Sequence, residues 1–381
     1  MLQGLKDPYT DYLSADDLKQ VDAQIKGRIS GIGAQLSMVD DRLTVTTPLE
    51  DSPALKAGIR PGDQIVAIDG KSTRGMSMSD ATHLLVGTAG TVVKLIVAHP
   101  EGVVEERAIT RGEVRVPSTS GFRRGADGRW QYLLDSERKI GYIHIAQFAS
   151  STAAEVRAAV QGLQKEDLKG LILDLRFCPG GLLDQALEVT KLFLADGIII
   201  TIRGPGKQES AFRADGKATM GDFPIILLIN DQTASAAEIV AGALRDHGRA
   251  VLLGTRTFGK GSVQTLVNLD GGGALRLTTA HYYLPSGRNI QKRPGEAMWG
   301  VYPSEGFSLA LSEVQTAALK QDAQNRALIE IKKVEDRTPP ALTAKEIKDQ
   351  HADPQLAAAL RSIVGRVTGG QFLQVGSAGS M

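Results

Sequence analysis

Apolar and polar positions follow two regimes along the chain. Toward the N-terminus the apolar residues come in short runs cut by glycine. Leu43 to Thr47 alternates, as a half-buried strand should. Asp51 to Gly58 reads as a short helix stopped by glycine, and Ile59 to Gly70 as a turn, a strand and a second turn. Ser77 or Ser79 caps a helix ending near Gly87, and Thr91 to Ala98 makes another strand. From Ile140 onward the runs are longer and more apolar. Ile140 to Phe148 alternates, Thr152 to Glu166 has helical spacing, and Gly170 to Arg176 is an apolar strand carrying two charges. A helix over Leu182 to Leu194 and a strand over Gly197 to Ile202 follow. Phe223 to Ile229 leads into the small residues Thr233 to Ala237 and a helical pattern through Leu244. Strands are expected again at Ala250 to Leu253, Val263 to Asn268 and Leu275 to Tyr283. Strands alternating with helices between 140 and 285 predict a mixed α/β core. Ser308 to Val334 reads as helical and charged, Pro339-Pro340 as a break, and Thr343 to Val367 as helical, ahead of a frayed glycine-rich end.

The chemistry-bearing residues gather where expected strands end, which is where open α/β sheets place their sites. Ser235 sits where a strand turns into a helix, and Lys260 lies in the glycine-rich loop Thr257-Phe-Gly-Lys-Gly261 after the next strand. A serine hydroxyl needs a base to take its proton. His247 and His281 are the nearest histidines, and neither is convincingly placed. A lysine serves if desolvation keeps it neutral, and Lys260 has no acid within several residues. Gln264, four residues on, can orient the amine. From the residues alone, Ser235 as an ordinary helix start and Lys260 as a solvated loop lysine stand equally open. A rival reading makes Gly254 to Lys260 a phosphate-binding loop, G-x-x-x-x-G-K-[ST]. Gly261 occupies the required Ser/Thr position, and the next run is β-like rather than helical.

Other candidates surround these two. Asp174 and Arg176, two apart, share a strand face. Phe177-Cys-Pro-Gly-Gly181 then exposes backbone N–H groups suited to an oxyanion hole. Cys178 as a nucleophile lacks an evident base, and His144 reads as a strand-face histidine rather than a base. Gly204 to Gly221 is a polar loop and a candidate flap. Gly121 to Leu134, basic around Trp130, reads as a solvated hairpin.

The segment T-A-S-A-x-E followed by F-G-K-G-x-x-Q resembles the carboxy-terminal processing (tail-specific) proteases, which are Ser/Lys peptidases. It matches through Thr233, Ala234, Ser235, Ala236, Glu238, Phe258, Gly259, Lys260, Gly261 and Gln264. The resemblance covers roughly Gly4 to Pro303, with a weaker match at Asp353-Pro-Gln-Leu356. It implies Ser235 as nucleophile, Lys260 as general base and Gln264 as its orienting partner. The family pattern D-L-R-x-N-P-G-G implies an oxyanion hole from the N–H groups of Gly181 and Ala236, supported by Arg176 and Gly180. This chain departs from it at Cys178, where members carry Asn. Glu238, Asp246 and Thr257 match family positions and are read as supporting the site. The sequence Ala57-Gly-Ile-Arg-Pro-Gly-Asp-Gln-Ile65 resembles a bacterial PDZ domain. Such domains add a peptide to a sheet edge and hold its carboxylate on backbone N–H groups. Gly31-Ile32-Gly33 is the expected cradle. The implied organisation is an N-terminal helical segment (1–24, with Ser14 as cap and Asp16 and Asp17 in the first turn), a PDZ domain (25–112), a crotonase-like Ser/Lys protease core (113–305) and a C-terminal helical region (306–381).

Composition narrows the rest. The chain has 381 residues, 42% hydrophobic, with room for two or three domains. A net charge of +1 gives no case for nucleic acid. The single cysteine excludes an internal disulfide, and no run of about 20 apolar residues spans a membrane. No His/Cys/Asp cluster has metal-ligand spacing, so neither metal nor cofactor is expected. The expected partners are protein or peptide substrates with free C-terminal tails, a regulatory or adaptor protein, and further copies of the chain. No signal peptide is seen, yet the family is usually exported. That implies an extracytoplasmic or periplasmic protein whose natural N-terminus precedes Met1, with a cytoplasmic form as the alternative. Two functions are carried forward: a Ser/Lys endopeptidase acting on C-terminal tails, and a gated or inactive PDZ peptide-binding scaffold that requires a partner.

Overall fold

The computed structural model describes the chain except residues 1–3, 5–6, 16, 19–20, 22–26, 50, 126–127, 217–219, 271, 328–340 and 376–381. The expected break at Pro339-Pro340, the end of the Ser308–Val334 pattern, Asp16 and the last of the glycine-rich end lie outside the described residues.

The centre is a parallel sheet. Ile140–Ile145, Gly170–Asp174, Ile225–Ile229 and Val251–Gly254 lie side by side in that order, in parallel register. Their near-continuous apolar character follows from burial on both faces. Ile225, Leu227 and Ile229 face a core built with the helices Thr152–Lys165, Leu183–Lys191 and Ala236–Asp246. Ile226 and Leu228 face a second core against the helix Pro354–Val367. Loops leaving the C-terminal ends of three adjacent strands therefore meet at one edge of the sheet.

A second sheet is antiparallel. Ala274–Tyr283 pairs along its length with Ser262–Asn268. Its other edge takes Ile198–Arg203 at one end and Asp11–Leu13 at the other. Two expectations change here. Asp11–Leu13, read as part of a helical segment, is a strand, fixed by Asp11 pairing with Arg276 (2.6 Å). The loop 204–221 contains the strand Glu209–Arg213, which pairs back on Ile198–Arg203. The helical pattern Thr343–Val367 splits into Ala344–Gln350 and Pro354–Val367. Between them Ala352 adopts positive φ, and Asp353 caps the second helix by accepting from Leu356 N–H (2.9 Å), with Pro354 in its first turn.

Residues 34–110 form a separate antiparallel sheet in the order Ala34–Val39, Arg42–Pro48, Gln64–Ile68, Val92–Ala98, Val104–Thr110, around its own core. Ser77 caps the helix Met78–Leu85. Ala34–Val39 is one of the two edge strands of that sheet, Val104–Thr110 the other.

Candidate active site

The strand Ile225–Ile229 delivers the chain to Asn230, whose side chain organises the next turn. Asn230 Oδ1 accepts from Phe177 N–H (2.9 Å) and Gln232 N–H (3.2 Å). Thr233 Oγ1 donates to Leu175 O (2.8 Å), and Ala234 N–H to Cys178 O (2.9 Å). The turn is thus stitched to the loop leaving the neighbouring strand. Ser235 then adopts φ 55°, ψ −119° immediately before the helix Ala236–Asp246. A non-glycine residue here is strained, and strain of this kind persists only where surrounding contacts enforce it. The run of small residues has a packing cause. A Cβ on Gly180 (φ 98°) would lie 2.7 Å from Ala234 O, 2.8 Å from Ser235 Cβ and 2.9 Å from Ala236 N. The Pro-Gly-Gly loop therefore touches the serine turn backbone to backbone. The Phe148 strand extension holds the loop from behind: Phe148 N–H donates to Gly180 O and Leu182 N–H to Phe148 O, both at 2.8 Å. Among the described residues, no hydrogen bond takes the N–H of Gly181 or of Ala236.

Glu238 links the serine to the lysine. It lies one helical turn past Ser235 and is fully buried. Its Oε2 accepts from Ser235 N–H (2.9 Å) and Lys260 N–H (2.8 Å), and its Oε1 from Thr257 Oγ1 (2.5 Å) and Gly259 N–H (2.8 Å). Burial pushes this carboxyl above its usual range, against the opposing pull of its donors. Phe258 N–H closes the join by donating to Thr233 O (3.0 Å). The loop runs into the strand Ser262–Asn268, not a helix. With Gly259 and Lys260 N–H committed to Glu238, the phosphate-loop reading has no backbone cradle.

The Lys260 amine is half-buried. Burial lowers its pKa, Arg276 adds to the effect, and Asp11 and Glu238 oppose it. Its Nζ lies 5.2 Å from the centroid of the Tyr9 ring. Gln264 Nε2 donates to Tyr9 O (2.9 Å) rather than meeting the amine. Among the described residues, no hydrogen bond joins Ser235 Oγ to Lys260 Nζ.

The remaining expected residues divide by location. Arg176 is buried between Asp174 (2.6 Å) and Asp353 (2.8 Å), with Gln355 on a third side (3.1 Å). Burial opposes its charge, but the two carboxylates outweigh burial and hold the guanidinium well above its ordinary value. Arg176 thus ties the base of the Pro-Gly-Gly loop to the C-terminal helix. Asp246 lies at the far end of the serine helix and binds Arg245 (2.7 Å) and Ser286 N–H (3.1 Å), remote from the serine. Cys178 points into the main core, and burial pushes its thiol up to about 12, so it offers no nucleophile to the site. His144 is a strand-face residue whose pKa burial lowers. In the N-terminal sheet, Gly31 bridges Val86 at the end of the Met78–Leu85 helix, Ile32 is buried, and Gly33 adopts φ 74° against Ser52 and Val114. Tyr9 and Gln291 also join the site; neither is among the expected site residues, although Leu284 to Gln291 resembles the family's return segment. Gln291 Oε1 accepts from Gly261 N–H (3.0 Å) in the lysine loop. Local pattern cannot assign Tyr9, which meets Lys260 only through a pairing some 250 residues away in sequence. No cluster of metal-ligating side chains is found among the described residues.

The chain is similar to known proteins along most of its length. Residues 139–303 match peptidase family S41, and residues 44–98 match the PDZ domain. The carboxy-terminal-processing protease of Bartonella bacilliformis is 42% identical over 295 residues, covering 75% of this chain and 64% of that protein. The carboxy-terminal processing protease CtpA of Bacillus subtilis is 36% identical, with 77% and 60% covered. The chain thus spans a little under two thirds of the length of these relatives. A crystal structure from Bacteroides fragilis assigned to the S41 proteases shares the fold at 17% identity and TM-score 0.52, over 86% of this chain and 83% of that one. The carboxyl-terminal-processing protease of Synechocystis sp. is 34% identical over 338 residues, which cover 87% of this chain and 75% of that protein. Matched at that identity over three quarters of a relative, the chain belongs to peptidase family S41, among its PDZ-containing carboxyl-terminal-processing proteases.

Proposed function

We propose that the protein is a serine endopeptidase that takes the C-terminal tail of a protein substrate on its PDZ domain and cleaves upstream with Ser235 and Lys260. The observation that carries this reading is the shared seat of the two groups. The strained Ser235 turn and the Lys260 loop hang from one buried carboxylate, Glu238, and the Gly180-Gly181 loop lies against the serine. In the reaction, Ser235 Oγ attacks the scissile carbonyl carbon and its proton passes to the neutral Lys260 amine. The N–H groups of Gly181 and Ala236 receive the developing oxyanion. The tetrahedral intermediate collapses, the amine leaves with the proton from Lys260, and Ser235 remains acylated. Water then gives a proton to Lys260 and adds to the acyl carbon, and the ester bond breaks as Lys260 returns that proton to Ser235 Oγ, which frees the new carboxyl terminus and restores the enzyme. Gln264 serves as the orienting partner of the amine in the reacting state; at rest its Nε2 donates to Tyr9 O. The tail adds to the free edge of Ala34–Val39, with its carboxylate at Gly31–Gly33. We assign the protein to the extracytoplasmic side, which fractionation of cells would check.

The test is cleavage of an unfolded protein with a free apolar tail by wild type, Ser235→Ala and Lys260→Ala across pH. Loss in both variants, with wild-type activity falling as acid protonates the amine, supports the Ser/Lys reading. Full activity in Lys260→Ala overturns it. A second reading, a gated enzyme or scaffold awaiting a partner, is favoured by the missing Ser235–Lys260 hydrogen bond and by the Gln264–Tyr9 contact. An inert wild type that binds the tail would move it ahead.

A further inference from the structure

The N-terminal strand reaches the lysine loop from the opposite end of the sequence. Asp11–Leu13 pairs with the start of Ala274–Tyr283, and Thr278 N–H donates to Thr10 Oγ1 (3.3 Å). This extends the segment along the sheet edge and sets Tyr9 over the site. Three parts of the lysine machinery then meet one residue. The ring lies under the Lys260 amine at 5.2 Å, the carbonyl accepts from Gln264, and the hydroxyl faces Gln291, which itself holds Gly261 N–H. Burial pushes the Tyr9 phenol up, so it remains neutral.

We propose that Tyr9 is a positioning residue for the general base: its ring walls the Lys260 amine off from water, and its carbonyl sets the orientation of Gln264. The proposal rests on Lys260 being the base. A ring has two opposed effects on an amine. Its apolar body excludes water, which favours the neutral form. Its π face attracts the ammonium, which favours the charged one. The charged groups facing Lys260 are Arg276 and Asp11 on the paired strands and Glu238 on the serine helix. With these constant, variants of Tyr9 separate the two effects.

The experiment titrates the amine itself, in the full chain carrying Ser235→Ala, by trace acylation of Lys260 at stepped pH read by peptide mass spectrometry. Because it needs no turnover, it does not depend on Lys260 being the base. Tyr9→Ala lets water in and raises the labelling midpoint by about one pH unit. Tyr9→Leu excludes water without a π face, and its midpoint stays at or below that of the Tyr9 protein. Tyr9→Phe, which preserves both effects of the ring, keeps the midpoint; the backbone carbonyl that accepts from Gln264 is common to all three variants. In the Ser235 background, Tyr9→Ala moves the acid limb of kcat/KM up by the same amount and lowers kcat more than it raises KM. An unchanged midpoint in a folded Tyr9→Ala protein overturns the proposal, as does an equal rise in Tyr9→Leu. Faster turnover in Tyr9→Ala also overturns it, since the segment would then be blocking the amine.

Discussion

The backbone N–H groups of Ser235 and Lys260 donate to the same atom, Glu238 Oε2, at 2.9 and 2.8 Å. One buried oxygen therefore sets the distance between the serine turn and the lysine loop. An acceptor is required at every point around this carboxylate, because all four of its partners donate. Glu238→Gln replaces one acceptor oxygen by an NH2 group that faces N–H donors. Each oxygen accepts from two donors, and the cost should be roughly 1–3 kcal/mol for each donor left unpaired. Loss of the common anchor should lower kcat/KM on the order of a hundredfold, as small displacements of reacting groups do. Denaturant unfolding and steady-state cleavage measure the two effects. Wild-type kcat/KM in a folded Glu238→Gln protein would show that the anchor does not set the geometry.

Lys260→Met should lose activity and gain stability at neutral pH. Burial, with Arg276, depresses the lysine pKa below its ordinary 10.5, so the folded state disfavours the ammonium that the unfolded chain keeps. The unfolded state then binds more protons between the two values, and wild-type stability rises with pH across that window. The advantage of Met should be greatest below the folded pKa and should shrink as pH approaches 10.5. Melting temperatures at stepped pH test this. A constant difference across the window would mean that the amine is not desolvated.

Gly180→Ala tests the packing of the two loops. The position has φ 98°, and the new methyl would meet Ala234 O at 2.7 Å and Ala236 N at 2.9 Å, both backbone atoms that cannot rotate away. Strain of about 1–3 kcal/mol is expected from the backbone conformation, before any movement of the loop. Movement would carry the Gly181 N–H away from the serine. Acylation should therefore fall by more than the loss of stability would suggest. A burst assay with an activated ester separates acylation from folding, and an unchanged burst rate would remove Gly181 from the oxyanion hole.

What can be read from sequence follows from the range of the forces involved. The strand from Ile225 to Ile229 and the small residues leading to Ser235 declare themselves locally, because burial on both faces demands an unbroken apolar run. The motif around Ser235 and Lys260 is visible as a resemblance. Its physical cause, Glu238, is named by that resemblance as a supporting residue, but its four donors, drawn from two loops, are not legible from local pattern. Asp11–Leu13 escapes a local reading because three residues carry no period, and its strand state comes from Arg276 and the sheet edge it joins. Glu209–Arg213 is polar and exposed, so no alternation marks it. Cys178 has neighbours that face the site, which suggests from sequence that it does too. The positive φ at Phe177 and the hydrogen bond to Ala234 instead turn its side chain into the core.

The last prediction concerns Asp353, which joins the C-terminal helix to the oxyanion loop. Its two oxygens accept from Arg176 Nη1 (2.9 Å) and Nη2 (2.8 Å), while Oδ1 also caps the helix through Leu356 N–H. Asp353→Asn leaves a buried guanidinium with one carboxylate and sets an NH2 group against it. Breaking a buried pair in this way should cost about 3–5 kcal/mol. Much of that penalty belongs to the guanidinium left buried without its second carboxylate, and less to the pairing energy itself. Replacing Arg176 as well leaves Asp174 buried without its cation, so stability should recover only relative to the sum: Arg176→Met with Asp353→Asn should be less damaging than the effects of the two single substitutions added together. If the network serves only folding, the double variant should recover activity along with stability. If Arg176 also sets the loop ahead of Gly180 and Gly181, stability should return while kcat stays low. Urea unfolding and cleavage assays on the four members of this cycle decide between the two roles.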